Sequence, residues 1–162
     1  MKKLKMLYKR VGREPEVLKI VDTAKNKEDL IGGHFDYISY MNKTLVCNED
    51  RHYYDLKPNV IFDYGYVSGN FFIVNSDVKN GVFKSLTNRE IKKLKEDLSK
   101  YSVHYSDNEL KQIDKQEKDT LEQFYKDYER DIVFNESLYH YETEEEYKKN
   151  SNNKIFENER GD

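Results

Sequence analysis

The stretch "IGGHFDYISYMNKTLVCNEDRHYYDL", residues 31–56, gathers the residue types best suited to chemistry. It holds a diglycine, His34 and His52, the only cysteine (Cys47), and the acids Asp36, Glu49, Asp50 and Asp55. A nucleophilic thiol needs a base within hydrogen-bond reach and a lowered pKa. Cys47 instead lies between Val46 and Asn48 in a strand-like segment, and the nearby histidines form no relay signature. A buried structural thiol is expected. The four histidines, at 34, 52, 104 and 140, match neither a helical HxxxH pair nor a zinc-ribbon spacing. "NEDRHYYD" offers oxygen ligands without the D-x-D-x-D-G loop of a calcium site. The diglycine follows a helix and precedes a strand, the reverse of a phosphate-cradling loop. "GYVSGN" lacks the G-x-S-x-G spacing of a nucleophile elbow. The expectation is therefore no catalytic residue, no cofactor site and no metal site, and a helix cap, hairpin and loop in this stretch.

The elements that carry these residues read as an α+β domain. "LKMLYKRV" alternates Leu4, Met6 and Tyr8 against Lys3 and Lys5, and "VLKIVD" returns after "GREPE", which predicts a hairpin. "TAKNKEDLI" predicts a short helix ended by Gly32 and Gly33. "HFDYISYM" and "TLVC" predict a second hairpin turned at Asn42-Lys43. "VIF" predicts a strand after Pro58, and "GNFFIVN", the most apolar run, predicts a central strand. In "SLTNREIKKLKEDLSKY", Thr87 with Glu90 forms a capping box, and Ile91, Leu94 and Leu98 share one face. The expected fold is a mostly antiparallel sheet of about five strands with one short and one longer helix.

Charge divides the chain. Residues 1–100 carry 19 Lys+Arg against 14 Asp+Glu, and residues 101–162 carry 9 against 17. An α+β core over 1–100 and an acidic, Tyr-rich helical tail over 101–162, disordered toward its end, follow from that contrast. Within the tail, Leu110, Ile113, Leu121, Phe124 and Tyr128 keep a roughly helical period from Asn108 to Asp131, interrupted at Glu117. So thin a stripe needs a partner surface to be stable. Mean hydropathy is -1.01, and no run approaches the ~20 apolar residues that span a bilayer. One cysteine excludes an intrachain disulfide, and the N-terminus lacks an apolar signal region, so a cytoplasmic protein is expected.

The ordered elements "EPEVLKI", "EDLIGGHFDYISY", "TLVCNED", "KPNVIF", "GNFFIV" and "SLTNREIKKLKE" resemble the family called domain of unknown function 3846, over about residues 4–98. The resemblance rests on Gly32-Gly33, Leu45 to Glu49, Pro58-Asn59, Gly69 to Val74 and the helix after Leu86-Thr87. It departs at Asp50-Arg51, where the family has a glycine, and in a shortened region before Gly69. It implies an α+β domain encoded by phages or plasmids of Gram-positive bacteria, and it supplies no catalytic residues.

Three uses of such a domain follow. The first is a non-catalytic protein of a mobile element that binds and modulates a host protein, for example by inhibiting a defence enzyme. Partner contacts are then expected on the tail at Phe124, Tyr125, Tyr128, Glu129, Tyr139, Tyr141, Glu144 and Glu145, where tyrosines anchor and acids complement a basic face. The second is nucleic-acid binding through Lys92, Lys93 and Lys95 with Lys2, Lys3 and Lys5, ranked lower because the net charge of the head is small. The third is a nucleotide pocket lined by Tyr37, Tyr40, Phe71 and Phe72. Oligomeric state stays open, since a free sheet edge or the thin-striped helix could each make a dimer.

Overall fold

The computed structural model describes residues 2–77 and 79–138, with side chains through residue 129. The first hairpin pairs β1 (Lys3–Lys9) with β2 (Glu16–Val21), in register from Lys3↔Val21 to Tyr8↔Glu16. Strand alternation sends Leu4, Met6 and Tyr8 to one face of the sheet and Leu7 to the other, as the sequence predicts. Helix α1 (Ala24–Ile31) starts at Thr23, whose hydroxyl accepts from the Asn26 amide at 3.1 Å. It stops at Gly32, where φ of 81° lets the Gly32 amide reach the Glu28 carbonyl at 2.8 Å.

The second hairpin pairs β3 (Phe35–Tyr40) with β4 (Lys43–Asn48). Its turn is Met41-Asn42, both at positive φ (49° and 61°), rather than Asn42-Lys43. Two consecutive left-handed residues match the right-handed twist of the strands, and Lys43 is thereby released to open β4 opposite Tyr40. A third hairpin, β5 (Pro58–Phe62) with β6 (Gly65–Ser68), forms a separate two-stranded sheet. β7 (Phe71–Asp77) is central, between β1 and β4, and short β8 (Val82–Lys84) pairs with its far end.

The main sheet thus has six strands, in the order β2-β1-β7-β4-β3 with β8 on β7, and every pairing is antiparallel. The two strands beyond the expected set, β6 and β8, are four and three residues long, too short to show a period of their own. One face of the sheet (Leu7, Leu45, Cys47, Phe71, Ile73) is covered by α2 (Asn88–Tyr101) and the β5–β6 hairpin. The other (Leu4, Met6, Tyr8, Val46, Phe72, Val74) is covered by α1 through Leu30 and Ile31. The Thr87–Glu90 capping box forms on α2, and Ile91, Leu94 and Leu98 are its buried residues.

Helix α3 (Asp107–Leu138) runs unbroken through Glu117. Glu117 does not interrupt it because its carboxylate finds Arg10, at 3.3 Å, with Asp114 beside it at 3.1 Å from the same guanidinium. The surface that this thin-striped helix needs is the head itself. Ile113 and Phe124 are buried, Gln116 donates to the Tyr54 and Asp55 carbonyls, and the Tyr125 hydroxyl donates to Asp29. Among the described residues no helix is long and apolar enough to cross a membrane.

Candidate functional site

The residues flagged for chemistry occupy structural positions. Cys47 is fully buried in β4, and burial pushes its thiol up to about 11, away from thiolate chemistry. His34 packs edge-on against Phe124, with centroids 4.8 Å apart, and His52 packs against Tyr66. Among the described residues no group of three or more His, Cys, Asp or Glu lies close enough to hold a metal ion. Phe71 and Phe72 point to opposite faces of β7, into separate clusters, so they cannot line one pocket with Tyr37 and Tyr40. The cleft between α3 and the head, walled by Val11, Gly32, Gly69, Asn70 and Glu117, encloses about 30 Å³. That is room for a few waters, far below the ~300 Å³ at which small-molecule sites begin.

One buried titratable group leaves no mark in the sequence pattern. Lys9 ends β1 with 1% of its surface exposed. Its ammonium donates to Asn59 Oδ1 at 2.8 Å and to the Arg10 carbonyl at 3.0 Å. Asn59, also buried, donates back to the Lys9 and Gly69 carbonyls at 2.9 and 2.8 Å. Burial lowers the Lys9 pKa to about 8 from 10.5. Between those values the unfolded chain holds a proton that the folded chain has released, so stability rises with pH from about 8. Above pH 10 the trend reverses, because burial raises the Tyr8, Tyr40 and Tyr125 hydroxyls and the folded state then holds the extra protons. Urea midpoints at pH 7.5, 8.5 and 9.5 are expected to climb for the wild type and to lose that climb in Lys9→Met.

The lysines put forward for nucleic-acid contact are divided. Lys92, Lys93 and Lys95 are exposed on α2. Lys5 is held by Asn88, and Lys2 by the Phe83 carbonyl and Asp22. Of the residues expected to touch a partner, Phe124 faces inward against His34, which leaves little of its ring for a partner. Tyr125 and Tyr128 are half-buried, and Glu129 is exposed. Tyr139, Tyr141, Glu144 and Glu145 lie outside the described residues.

Among the described residues, exposed apolar side chains gather elsewhere, on the β5–β6 hairpin and the loop before it. Alternation turns Val60, Phe62 and Val67 inward and leaves Ile61 and its cross-strand partner Tyr66 facing out, each 54% exposed. Tyr64, 73% exposed, stacks on Phe62 with centroids 5.4 Å apart and planes 13° apart. Tyr53, 84% exposed, leans edge-on against Tyr54 at 5.2 Å. His52 braces Tyr66 at 6.1 Å. Each exposed ring is therefore set by a neighbour, which lowers the entropy lost when a partner immobilises it. The sequence signal is the alternation in "VIFDYGYVS", obscured because Gly65 weakens a strand reading and the return strand is short.

These features define an antiparallel α+β domain whose central strand is flanked by hairpins, with a tyrosine-bearing two-stranded sheet on one side. Residues 2–99 match the family model described as Domain of unknown function (DUF3846), and the chain belongs to that family. Helix α3 lies outside the matched segment. No curated protein and no solved structure matches the chain.

Proposed function

We propose that this protein acts by binding another protein through the outer face of β5–β6 and the loop before it, and modulates that partner without chemistry of its own. The observation that carries the reading is the set of exposed side chains Tyr53, Ile61 and Tyr66, with Tyr64 at the hairpin tip stacked on Phe62, the three tyrosine rings each braced by a neighbour. Tyrosine is enriched among the residues that dominate binding energy, and grouped apolar exposure favours an interface over a solvated surface. In the mobile-element setting that the family resemblance implies, the partner is a cytoplasmic protein of the bacterial host, such as a defence enzyme. The test is affinity capture from a Gram-positive host lysate with three baits: full-length protein, Tyr53→Ser/Tyr66→Ser, and a chain ending at residue 138. A host protein held by the full-length bait, lost by the tyrosine variant and re-bound in purified form is the expected result. Equal capture by the full-length and tyrosine baits would sink the hairpin surface, and loss only from the shortened bait would move recognition to the acidic residues beyond 138.

The runner-up, nucleic-acid binding, is favoured by Arg89, Lys92, Lys93 and Lys100 along the outward side of α2. A salt-sensitive shift of labelled DNA that Lys92→Gln/Lys93→Gln abolishes would support it.

A further inference from the structure

The charge around the tyrosines defines what can sit on them. Asp50, Asp55 and Asp63, all exposed, occupy the loop and the hairpin turn that present Tyr53, Tyr64 and Tyr66. Among the described residues none of the three carboxylates has an ion-pair partner. Of the two cations in the same segment, Arg51 is engaged, turning back to Asp36 Oδ2 at 2.7 Å and to the Asn48 carbonyl at 3.1 Å. Lys57 is exposed, which sets three carboxylates against one lysine. Burial first, and then the Asp50 and Asp127 carboxylates, raise the Tyr54 hydroxyl, so α3 adds to the negative field at this edge.

We propose, resting on the docking role given to this surface above, that its occupant is an arginine-rich face of a partner protein. A guanidinium stacks flat on an exposed tyrosine ring and donates two parallel hydrogen bonds to a carboxylate, so rings beside unpaired aspartates suit it on both counts. A lysine ammonium gains the charge but neither the stacking plane nor the fork. Nucleic acid meets like charge here. A second copy placed about a two-fold axis would bring the same carboxylates into one interface.

The test uses ¹⁵N-labelled full-length protein titrated with an arginine octapeptide and a lysine octapeptide, at 50 and 300 mM NaCl. Amide shifts centred on Tyr53, Asp55, Tyr64 and Tyr66 are expected, with the arginine peptide bound roughly fivefold more tightly, a margin that survives salt screening better than charge alone. Tyr53→Ser/Tyr66→Ser and Asp55→Asn/Asp63→Asn should each weaken arginine-peptide binding roughly tenfold. Asp119→Asn/Glu122→Gln/Glu129→Gln, on exposed positions of α3, should leave it within about twofold. These are surface substitutions, and unchanged urea midpoints would show that the fold is intact. Equal binding of the two peptides, or equal loss from the α3 variant, would overturn the proposal by reducing it to general acidity. If the tyrosine variant still loses its captured host protein in that case, the docking surface stands and only its arginine chemistry falls. Self-association abolished by the tyrosine variant would instead place a second copy on the surface and overturn both, and a DNA oligonucleotide shifting the same amides would overturn the arginine assignment.

Discussion

Replacing Lys27 with methionine is expected to remove about 3–5 kcal/mol from the stability of the fold, because it breaks a buried ion pair and leaves the anion behind. Lys27 is fully buried on α1, and its ammonium lies 2.8 Å from Asp22 Oδ1, whose side chain is 4% exposed. No other donor reaches that oxygen, so its compensation rests on the single charge-assisted contact with Lys27. The ammonium also sits 5.6 Å from the Phe35 centroid and 5.1 Å from that of Phe83, between rings from β3 and β8. Lys2 approaches Asp22 at 3.4 Å from the solvent side, half-exposed, and cannot replace a charge held inside. Urea denaturation checks the magnitude, and the double variant Asp22→Asn/Lys27→Met separates causes. If the stranded carboxylate is what destabilises, the double variant recovers most of the loss. If it is as unstable as Lys27→Met, the lost aliphatic stem and ring contacts matter more than the stranded charge.

The second large effect is expected at Asn59. Asn59→Leu keeps a similar volume but deletes three hydrogen bonds at once: acceptance from the Lys9 ammonium and donation to the Lys9 and Gly69 carbonyls. A bond to a charged group contributes about 1.5–3 kcal/mol, and each buried group left without a partner costs about 1–3, so a loss of at least about 3 kcal/mol is expected at pH 7. The same variant carries a pH signature. With its side-chain acceptor gone, the Lys9 ammonium is less well held, and its pKa falls below the already lowered value of about 8. The penalty for burying the charge therefore shrinks as pH rises, and the gap between wild type and Asn59→Leu should narrow between pH 7 and 9. A gap independent of pH would mean that the two carbonyls, not the ammonium, account for the loss.

How much of this is legible in the sequence depends on whether a residue's partner is local. The central position of "GNFFIVN" is legible because a run buried on both faces is apolar at every position, and Phe71 to Val74 are all fully buried. The α2 cap is legible because Thr87 and Glu90 are three residues apart and satisfy each other. The turn of the second hairpin falls one residue earlier than its sequence suggests, because methionine gives no sign of accepting positive φ, as Met41 does. The docking of α3 is hidden for a different reason. Its stripe is thin because part of the binding is ionic, through Arg10 and Arg13 to Asp114 and Glu117, and a charge on one helix does not reveal a cation about 100 residues earlier. The tyrosine surface is half visible. Aromatic content points to an interface and, read with charge, directs it to the acidic tail, whereas Tyr53, Tyr64 and Tyr66 project from a loop and a hairpin whose second strand is too short to declare itself.

The place of β7 in the sheet has a consequence for how the chain is made. β1–β2 and β3–β4 are local hairpins that can close as soon as each is synthesised, yet in the finished sheet no strand of one pairs with a strand of the other, and both are joined to the strand between them. Lys9 waits for Phe71 and Cys47 waits for the same residue. At translation speeds of about 5–20 residues per second, the first hairpin leaves the ribosome seconds before the strand that joins it to the second. Until then each hairpin shows an apolar face and an open edge to its surroundings, and a two-stranded ribbon alone is marginally stable. The emergence of Phe71-Phe72-Ile73-Val74 is thus the event that turns two ribbons into one protein.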